Sequence, residues 1–261
     1  MAANTRTIRS VALPTEHGGW GFLAEPILLG LLVAPSWAGL LLSLAALGVF
    51  LLHQPLKYAI KDHLKGRRVP RTIWAERFSG LYAIVAAVSF GIVLMMQPPL
   101  FLLPLLIGGA IGTVQLSYDA RNKSRELIPE VAGALTLGAA APAIALVAGW
   151  SLLPALLLWL VLAFRAMSSI MYVRARLRLE YGREYQAMPV YLLHGVSLLV
   201  LGSLIIAGWL PWIVILPFIF LTGRAVYGLS PYRKQVKAKV VGFSELGYGL
   251  LTVLIIAVGM A

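Results

Sequence analysis

A stripe of basic side chains offers the first chemistry in this sequence. His53, Lys57 and Lys61 follow one another at four-residue spacing, so a helix would carry an imidazole and two ammonium groups on one face. Such groups bind phosphate or carboxylate oxygens directly, and His53 is also a candidate for proton transfer. The simpler alternative, strongest for Lys61, is a lysine near a helix end whose ammonium group reaches water.

A second stripe places an arginine deep inside an apolar segment. A helix would align four polar side chains at i, i+4, i+7 and i+11, namely Arg165, Ser169, Tyr172 and Arg176. An arginine at such depth faces the interior of a helix bundle or a water-filled cavity. Arg165 is therefore either a ligand clamp or the partner of a carboxylate, for which Glu25 and Glu130 are the nearest candidates by depth.

Further candidates lie near the ends of predicted helices. Arg224 is expected to pair with Glu245, either as a purely structural ion pair or as part of a ligand site. Glu16 and His17, within the segment 14–20 (PTEHGGW), form an acid–base pair or cap a helix. Together with His53 these two residues are the catalytic candidates, and the catalytic assignment stays open.

The polar segment 118–125 (YDARNKSR) predicts a hairpin between two apolar segments. It contributes Tyr118 and Lys123 as candidate ligand-binding residues. Glu130 follows inside the next apolar segment, and we expect it to pair with one of the cations of the hairpin.

The composition shows what kind of protein must position these groups. Of the 261 residues, 60% are apolar and 12% are charged, whereas a soluble domain is about half apolar and about a quarter charged. The chain is therefore predicted to be an integral membrane protein. Its net charge of +12 is expected to come from basic loops at one membrane face, with no nucleic acid partner. The lack of cysteine excludes disulfides and cysteine-ligated metal sites.

Nine apolar segments approach the length of about 20 residues that a helix needs to cross the hydrocarbon. They are Trp20–Ala34, Trp37–Tyr58, Phe78–Gln97, Leu100–Leu116, Leu127–Gly149, Leu152–Val173, Pro189–Gly208, Trp209–Leu229 and Val241–Met260. We therefore expect an all-α polytopic membrane protein in which residues 1–261 form a single integral membrane domain. Residues 1–18 are expected to be a cytoplasmic N-terminal segment rather than a signal peptide.

The connections between these segments alternate in charge. Four are short and uncharged. The others, such as the loop expected over Lys57–Arg77, are long and carry the lysines and arginines, so that all 22 basic residues lie on one side. The positive-inside rule then predicts a cytoplasmic N-terminus and an external C-terminus. Any polar chemistry is expected at the cytoplasmic end of the bundle.

The segment 14–20 resembles the opening motif of the YwiC-like family of small bacterial membrane proteins. The resemblance continues through three charged stretches, residues 57–77, 118–130 and 165–178, and covers most of the chain. It implies a membrane protein of this family, located in the bacterial plasma membrane, but it implies no particular activity.

A more distant resemblance is to the UbiA superfamily of intramembrane prenyltransferases, carried by the hairpin 118–124 and by the placement of the two stripes. It implies a nine-helix bundle with its site at the cytoplasmic ends of the second and sixth helices. Two aspartate motifs of that superfamily bind Mg²⁺ there. In this sequence His53, Lys57 and Lys61 stand at the first motif, and Tyr172 and Arg176 at the second. Of the carboxylates only Asp62 remains, next to Lys61. The resemblance thus implies the fold with the metal ligands missing, and we expect neither metal nor cofactor.

These observations lead to one function hypothesis and three alternatives. We expect a basic cavity that binds a phosphate, diphosphate or carboxylate on a membrane lipid or an isoprenoid-like molecule, without metal. Lys57, Lys61, Arg165 and Arg176 would hold the anion and Tyr172 would donate a hydrogen bond. The alternatives are a small-anion carrier or channel, a divergent transferase of the prenyltransferase type, and a scaffold subunit without a ligand. Whether the chain is an enzyme stays open.

Overall fold

The computed structural model describes residues 5–14, 17–66 and 68–260, without the side chains of residues 5–7 and 17. All regular secondary structure in these residues is helical. The α-helices are α1 (Thr5–Ala12), α2 (His17–Val33), α3 (Trp37–Leu64), α4 (Pro70–Met96), α5 (Leu102–Ala120), α6 (Leu127–Gly138), α7 (Ala140–Val147), α8 (Leu152–Glu180), α9 (Met188–Ile206), α10 (Ile215–Leu229) and α11 (Ala238–Met260). Short 3₁₀ turns, Pro99–Phe101 and Trp212–Val214, precede α5 and α10.

The helices make this chain a polytopic membrane protein, as the composition predicted. Eight helical segments of the described residues are long and apolar enough to cross a bilayer. The remaining apolar helix, Gly18–Val33 within α2, is shorter than a usual span. The expected number of nine spans is therefore not confirmed.

The span predicted at Leu127–Gly149 is built from two helices, α6 and α7. Pro142 has no backbone N–H for the carbonyl of Gly138, and its ring would clash with that carbonyl in a continuous helix. The chain instead makes a tighter bond at the junction, where Ala139 N–H donates to the carbonyl oxygen of Thr136 at 3.2 Å. Proline chemistry thus explains a break that hydropathy alone does not reveal.

Helix α7 lies at the centre of the bundle. All eight of its residues are buried, and four of them are alanine. It packs against α2, α3 and α8. Gly30 allows the approach of α2, because a Cβ atom at that position would lie 2.9 Å from the Cβ of Ile144. This close-packed apolar centre keeps α2 and α8 near each other, and both carry buried charges.

Three helices extend well past the predicted spans at the charged end of the bundle. Helix α3 continues to Leu64, α4 begins at Pro70, and α8 continues to Glu180. The expectation of a long loop over Lys57–Arg77 was therefore wrong, since only the residues between Leu64 and Pro70 lie outside the two helices. Hydropathy marks only the part of a helix that lies in hydrocarbon, and a helix can continue as a polar helix among the head groups.

The N-terminal segment contains a docked helix. Val11 of α1 is buried in a small cluster with Ala59 and Ala75. Gln54 Nε2 donates to the carbonyl oxygens of Ser10 at 2.6 Å and Leu13 at 3.0 Å. Carbonyl groups at the end of a helix such as α1 have no intrahelical donor. The bonds from Gln54 supply that donor and hold α1 against α3.

Candidate functional site

Arg165 is the most deeply buried charged residue of the described chain, with 1% of its surface exposed. It lies midway along α8, and its Nη2 donates to Glu25 Oε1 of α2 at 3.0 Å. The same nitrogen donates to the backbone oxygen of Glu245 on α11, also at 3.0 Å. The guanidinium group therefore connects three helices that are far apart in sequence.

A glycine on α11 provides the space for this pair. A Cβ atom on Gly249 would overlap the carboxylate of Glu25 and would lie 2.8 Å from Arg165 Nη2. Residues Glu245 and Gly249 are four apart, so one face of α11 supplies both a polar partner and the room for the ion pair. Any side chain at this position would have to displace the buried charges.

Glu245 continues the network to a second arginine. Its carboxylate accepts a hydrogen bond from Ser169 Oγ at 2.5 Å and is ion-paired with Arg224 Nη1. The predicted pairing of Arg224 with Glu245 is therefore confirmed. The guanidinium carbon of Arg224 also lies 3.9 Å from the centre of the Tyr172 ring and 5.5 Å from that of Tyr248. Such placement is a cation–π interaction, which stabilises a cation where water is scarce.

A third arginine links this network to the charged surface of the bundle. Arg176 Nη1 donates to the carbonyl oxygen of Gly228, and its Nη2 lies 2.7 Å from Glu180 Oε1. Arg233 lies 3.6 Å from the same carboxylate oxygen. Glu180 also lines a surface depression of about 370 Å³ between the ends of α8 and α11. We call Arg165, Arg224 and Arg176 the arginine ladder.

Each arginine of the ladder keeps at least one buried nitrogen without a hydrogen-bond acceptor among the described residues. These nitrogens are Arg165 Nε and Nη1, Arg224 Nε and Nη2, and Arg176 Nε. A buried donor without an acceptor costs about 1–3 kcal/mol, and more when it is charged. The ladder thus presents strong donors at positions where an oxygen atom would stabilise the fold.

Helix α9 adds a histidine that the sequence did not single out. His194 is buried, and its Nδ1 donates to the carbonyl oxygen of Val190 at 2.8 Å. Its Nε2 is buried without a partner in the described structure. One turn further, Ser197 Oγ lies 3.5 Å from Ser168 Oγ of α8. One sequence signal could have identified this histidine: His194 and Ser197 are three residues apart, so both lie on one face of an apolar helix.

The basic stripe on α3 lies apart from the ladder and contacts the end of α5. His53 Nε2 lies 3.2 Å from Asp119 Oδ2, and Lys57 Nζ lies 3.6 Å from the same oxygen. The stripe itself is exposed along α3, including Lys61. The predicted site residues therefore lie in two groups, one inside the bundle and one on its surface.

A family model described as YwiC-like protein matches residues 13–145, just over half of the chain. The chain belongs to the YwiC-like family. The matched region includes Glu25, His53, Lys57 and Asp119, and it ends before the arginine ladder. No curated protein and no solved structure matches the chain.

Other candidates of this YwiC-like chain lie outside both groups or outside the description. Glu16 and the side chain of His17 are not among the described parts of the structure. Tyr118 is half-buried on the last turn of α5. Lys123 is exposed and lies 3.5 Å from Glu126, its neighbour three residues on.

The expected partner of Glu130 was wrong. Its carboxylate accepts from Arg174 of α8 at 2.8 Å, rather than from a cation of the hairpin. Arg174 also donates to the backbone oxygen of Arg125 at 3.0 Å. Because α6 packs against α8, Arg174 lies beside the first turn of α6.

Asp62 is the carboxylate that follows Lys61 on α3. It is ion-paired with Arg71 of α4, and it accepts a hydrogen bond from Thr72 Oγ1 at 2.9 Å. These bonds join α3 to the start of α4. The described residues contain no group of three His, Asp or Glu side chains placed to hold a metal ion.

Proposed function

We propose that this YwiC-like protein binds an anionic, lipid-like molecule whose head group is held by the arginine ladder. The observation that supports it is the set of buried guanidinium nitrogens on Arg165, Arg224 and Arg176 for which the described residues supply no acceptor. Phosphate and carboxylate oxygens are the acceptors that arginine binds best, often through two nitrogens at once. The ligand head would be a phosphate, a diphosphate or a carboxylate.

The formal charges of the cluster favour an anion. Its four arginines face three carboxylates, so one positive charge is left over: Arg165, Arg176, Arg224 and Arg233 against Glu25, Glu180 and Glu245. A buried excess charge is unfavourable unless it is paired. A singly charged anion would bring the cluster to neutrality.

The surroundings of the ladder favour a ligand with an apolar tail. The outward faces of α10 and α11 expose large apolar side chains near the level of Arg224 and Glu245, such as Phe220, Val226 and Phe243. Arg224, Glu245 and Glu25 lie five to eight residues from their nearer helix ends, or roughly 8–12 Å from the charged side of the bundle. A lipid or isoprenoid chain would reach the hydrocarbon from that depth.

A small-anion carrier is the weaker candidate. The charges of the ladder lie toward one end of the bundle, whereas α7 and its neighbours fill the centre with buried alanine, leucine and isoleucine. An ion crossing the protein would have to pass this apolar region, whose buried alanine, leucine and isoleucine side chains cannot replace its hydration shell. The tightly packed centre therefore favours binding over passage.

The proposal includes a location in the bacterial plasma membrane, with the N-terminus in the cytoplasm and the C-terminus outside. The loops that carry Lys and Arg face the cytoplasm under the positive-inside rule. At the opposite end Trp37, Trp209 and Trp212 are exposed, as is typical of tryptophan at a membrane–water interface. An external C-terminus requires that α2 also crosses the bilayer.

The test compares dioleoyl phosphatidic acid with dioleoylglycerol, which has the same chains without the phosphate. Thermal unfolding of the purified protein in detergent is measured with each lipid. At a hundredfold excess over Kd, phosphatidic acid should raise the midpoint by roughly 5 °C more than dioleoylglycerol does. Arg224→Gln should remove this difference, because it deletes the guanidinium group between Glu245 and Tyr172.

The matched control is Arg178→Gln, which removes the same charge from an exposed position on α8 and should keep the response. Equal stabilisation by the two lipids would contradict the proposal. Saturable uptake of inorganic phosphate into vesicles that contain the protein would overturn it in favour of the carrier.

A further inference from the structure

The second group of polar residues, at the junction of α3 and α5, is independent of the arginine ladder. Asp119 is on the last turn of α5, and 9% of its side chain is exposed. His53 and Lys57 both approach its Oδ2 atom, at 3.2 and 3.6 Å. We call Asp119, His53, Lys57 and Lys61 the α3–α5 cluster.

One carboxylate oxygen of this cluster has no hydrogen-bond partner among the described residues. Asp119 Oδ1 is buried and accepts no hydrogen bond within the described chain, while both contacts of the carboxylate are made by Oδ2. A buried carboxylate oxygen is strongly stabilised by an N–H or O–H donor, above all by a charged one. A donor from outside the described residues would therefore stabilise Asp119 Oδ1.

The cations of the cluster remain accessible. About half of each side chain is exposed for His53 and Lys57, even though both contact Asp119. Lys61, one turn further along the same face of α3, is also exposed. Lys57 and Lys61 together can bind a phosphate, and Asp119 offers an acceptor next to them.

The position of the cluster along α3 matches the head groups of a membrane. A helix that starts at Trp37 crosses about 30 Å of hydrocarbon by about residue 56, so Lys57 and Lys61 follow at the polar surface. One turn below His53, on the same face, Val49 is 61% exposed. On α5, Leu116 is exposed three residues before Asp119. The face is thus apolar toward the bilayer centre and charged at its edge, like a phospholipid.

We propose that the α3–α5 cluster is a binding site for a phospholipid with an amine-bearing head group, such as phosphatidylethanolamine. The phosphate contacts Lys57 and Lys61, the ammonium group donates to Asp119 Oδ1, and the acyl chains lie along Val49 and Leu116. The charges of ligand and site are complementary, because each carries an anion beside a cation. His53 holds Oδ2 and leaves Oδ1 for the ligand.

Native mass spectrometry of the purified protein from mixed micelles tests this site. Equal mole fractions of dioleoyl phosphatidylethanolamine and dioleoyl phosphatidylcholine are compared, because choline carries a similar charge but no N–H donor. We expect the wild-type protein to retain the ethanolamine lipid roughly tenfold more, the factor that one charge-assisted hydrogen bond supplies. Asp119→Asn should abolish this preference, and Lys57→Gln should lower the retention of both lipids.

Three outcomes would overturn the proposal. The first is equal retention of the two lipids by the wild-type protein, and the second is an unchanged preference in Asp119→Asn. The third is a loss of preference in Lys237→Gln, the control for removal of an exposed lysine, which directly precedes α11. Two further ligands extend the test. If phosphatidylglycerol, which has no amine, is retained as strongly as phosphatidylethanolamine, the proposed role of the amine is wrong. Glycerophosphoethanolamine carries the same head group without acyl chains. If it binds as tightly as the lipid, the proposal that a lipid supplies the head group is wrong.

Discussion

Arg165 Nη2 lies 3.0 Å from Glu25 Oε1, and the two residues are 140 positions apart in the chain. The pair joins the centre of α8 to α2, the shortest of the apolar helices considered as spans. A lone arginine at such depth costs roughly 2.5–3.5 kcal/mol on insertion scales, so α2 and α8 stabilise each other's charge. Two nitrogens of the same guanidinium group still have no acceptor in the part of the chain that the structure describes. Arg165 thus pairs with Glu25 to stabilise the fold, and it also has N–H groups that can donate to a ligand.

Breaking this pair should destabilise the protein. Arg165→Gln leaves the carboxylate of Glu25 buried without its partner, and we expect a loss of about 3–5 kcal/mol in the free energy of unfolding. The double variant Arg165→Met with Glu25→Gln should be more stable than Arg165→Gln alone, because no charge is left unpaired. Equilibrium unfolding in mixed micelles measures the difference. A single variant as stable as the wild-type protein would show that Glu25 is neutralised in another way.

The Glu130–Arg174 pair should behave differently, because both side chains are more than one-third exposed. Exposed ion pairs contribute about 0–1 kcal/mol. We therefore expect Arg174→Gln to lower the free energy of unfolding by less than about 1 kcal/mol. The same unfolding assay compares it with Arg165→Gln. A loss as large as that of Arg165→Gln would contradict the assignment of Arg174 to the surface.

Gly249 should tolerate no side chain. Gly249→Ala places a methyl group against the Glu25 carboxylate and close to Arg165 Nη2, so the pair must separate or α11 must move. We expect a loss of several kcal/mol, since overpacking alone costs about 1–3 kcal/mol and the buried charges lose contact as well. Thermal unfolding in detergent measures this loss.

The control for that variant is Gly247→Ala on the same helix, where a Cβ atom meets no other atom within 4 Å. Replacing glycine by alanine in a helix without steric conflict stabilises by about 0.4–1 kcal/mol. The midpoint of Gly247→Ala should therefore stay equal or rise. A decrease in both variants would indicate that α11 needs flexibility rather than space for the pair.

The orientation in the membrane can be checked with reporter fusions. Alkaline phosphatase should be active when fused after Pro98 or Gly149, which lie in uncharged connections, and inactive when fused after Lys65. Fluorescent protein fusions at the same sites should give the opposite pattern. A cytoplasmic reporter after Gly149 would contradict the proposed topology, and a C-terminal fusion reports whether α2 crosses.

The sequence by itself determined the class of protein and the position of most helices. Apolar segments of membrane length are local features, because each must satisfy its own backbone hydrogen bonds in lipid. The pairing of Arg224 with Glu245 was also within reach, since the depths of the two residues along neighbouring apolar segments are similar. The helical extensions past the spans could not be predicted, because a charged stretch beside an apolar segment is compatible with either a helix or a loop.

Only the tertiary structure decided which charges meet. The stripe that starts at His53 and the stripe that starts at Arg165 both follow helical spacing, but the first lies on the surface beside Asp119 and the second lies inside the bundle. Helical spacing tells which residues share a face, whereas the direction of that face depends on the neighbours of the helix. Here α7 packs with α2, α3 and α8, and Gly249 leaves room for a carboxylate. The contacts of Gly30 with Ile144 and of Gly249 with Glu25 join residues more than a hundred positions apart, and no local sequence pattern specifies them.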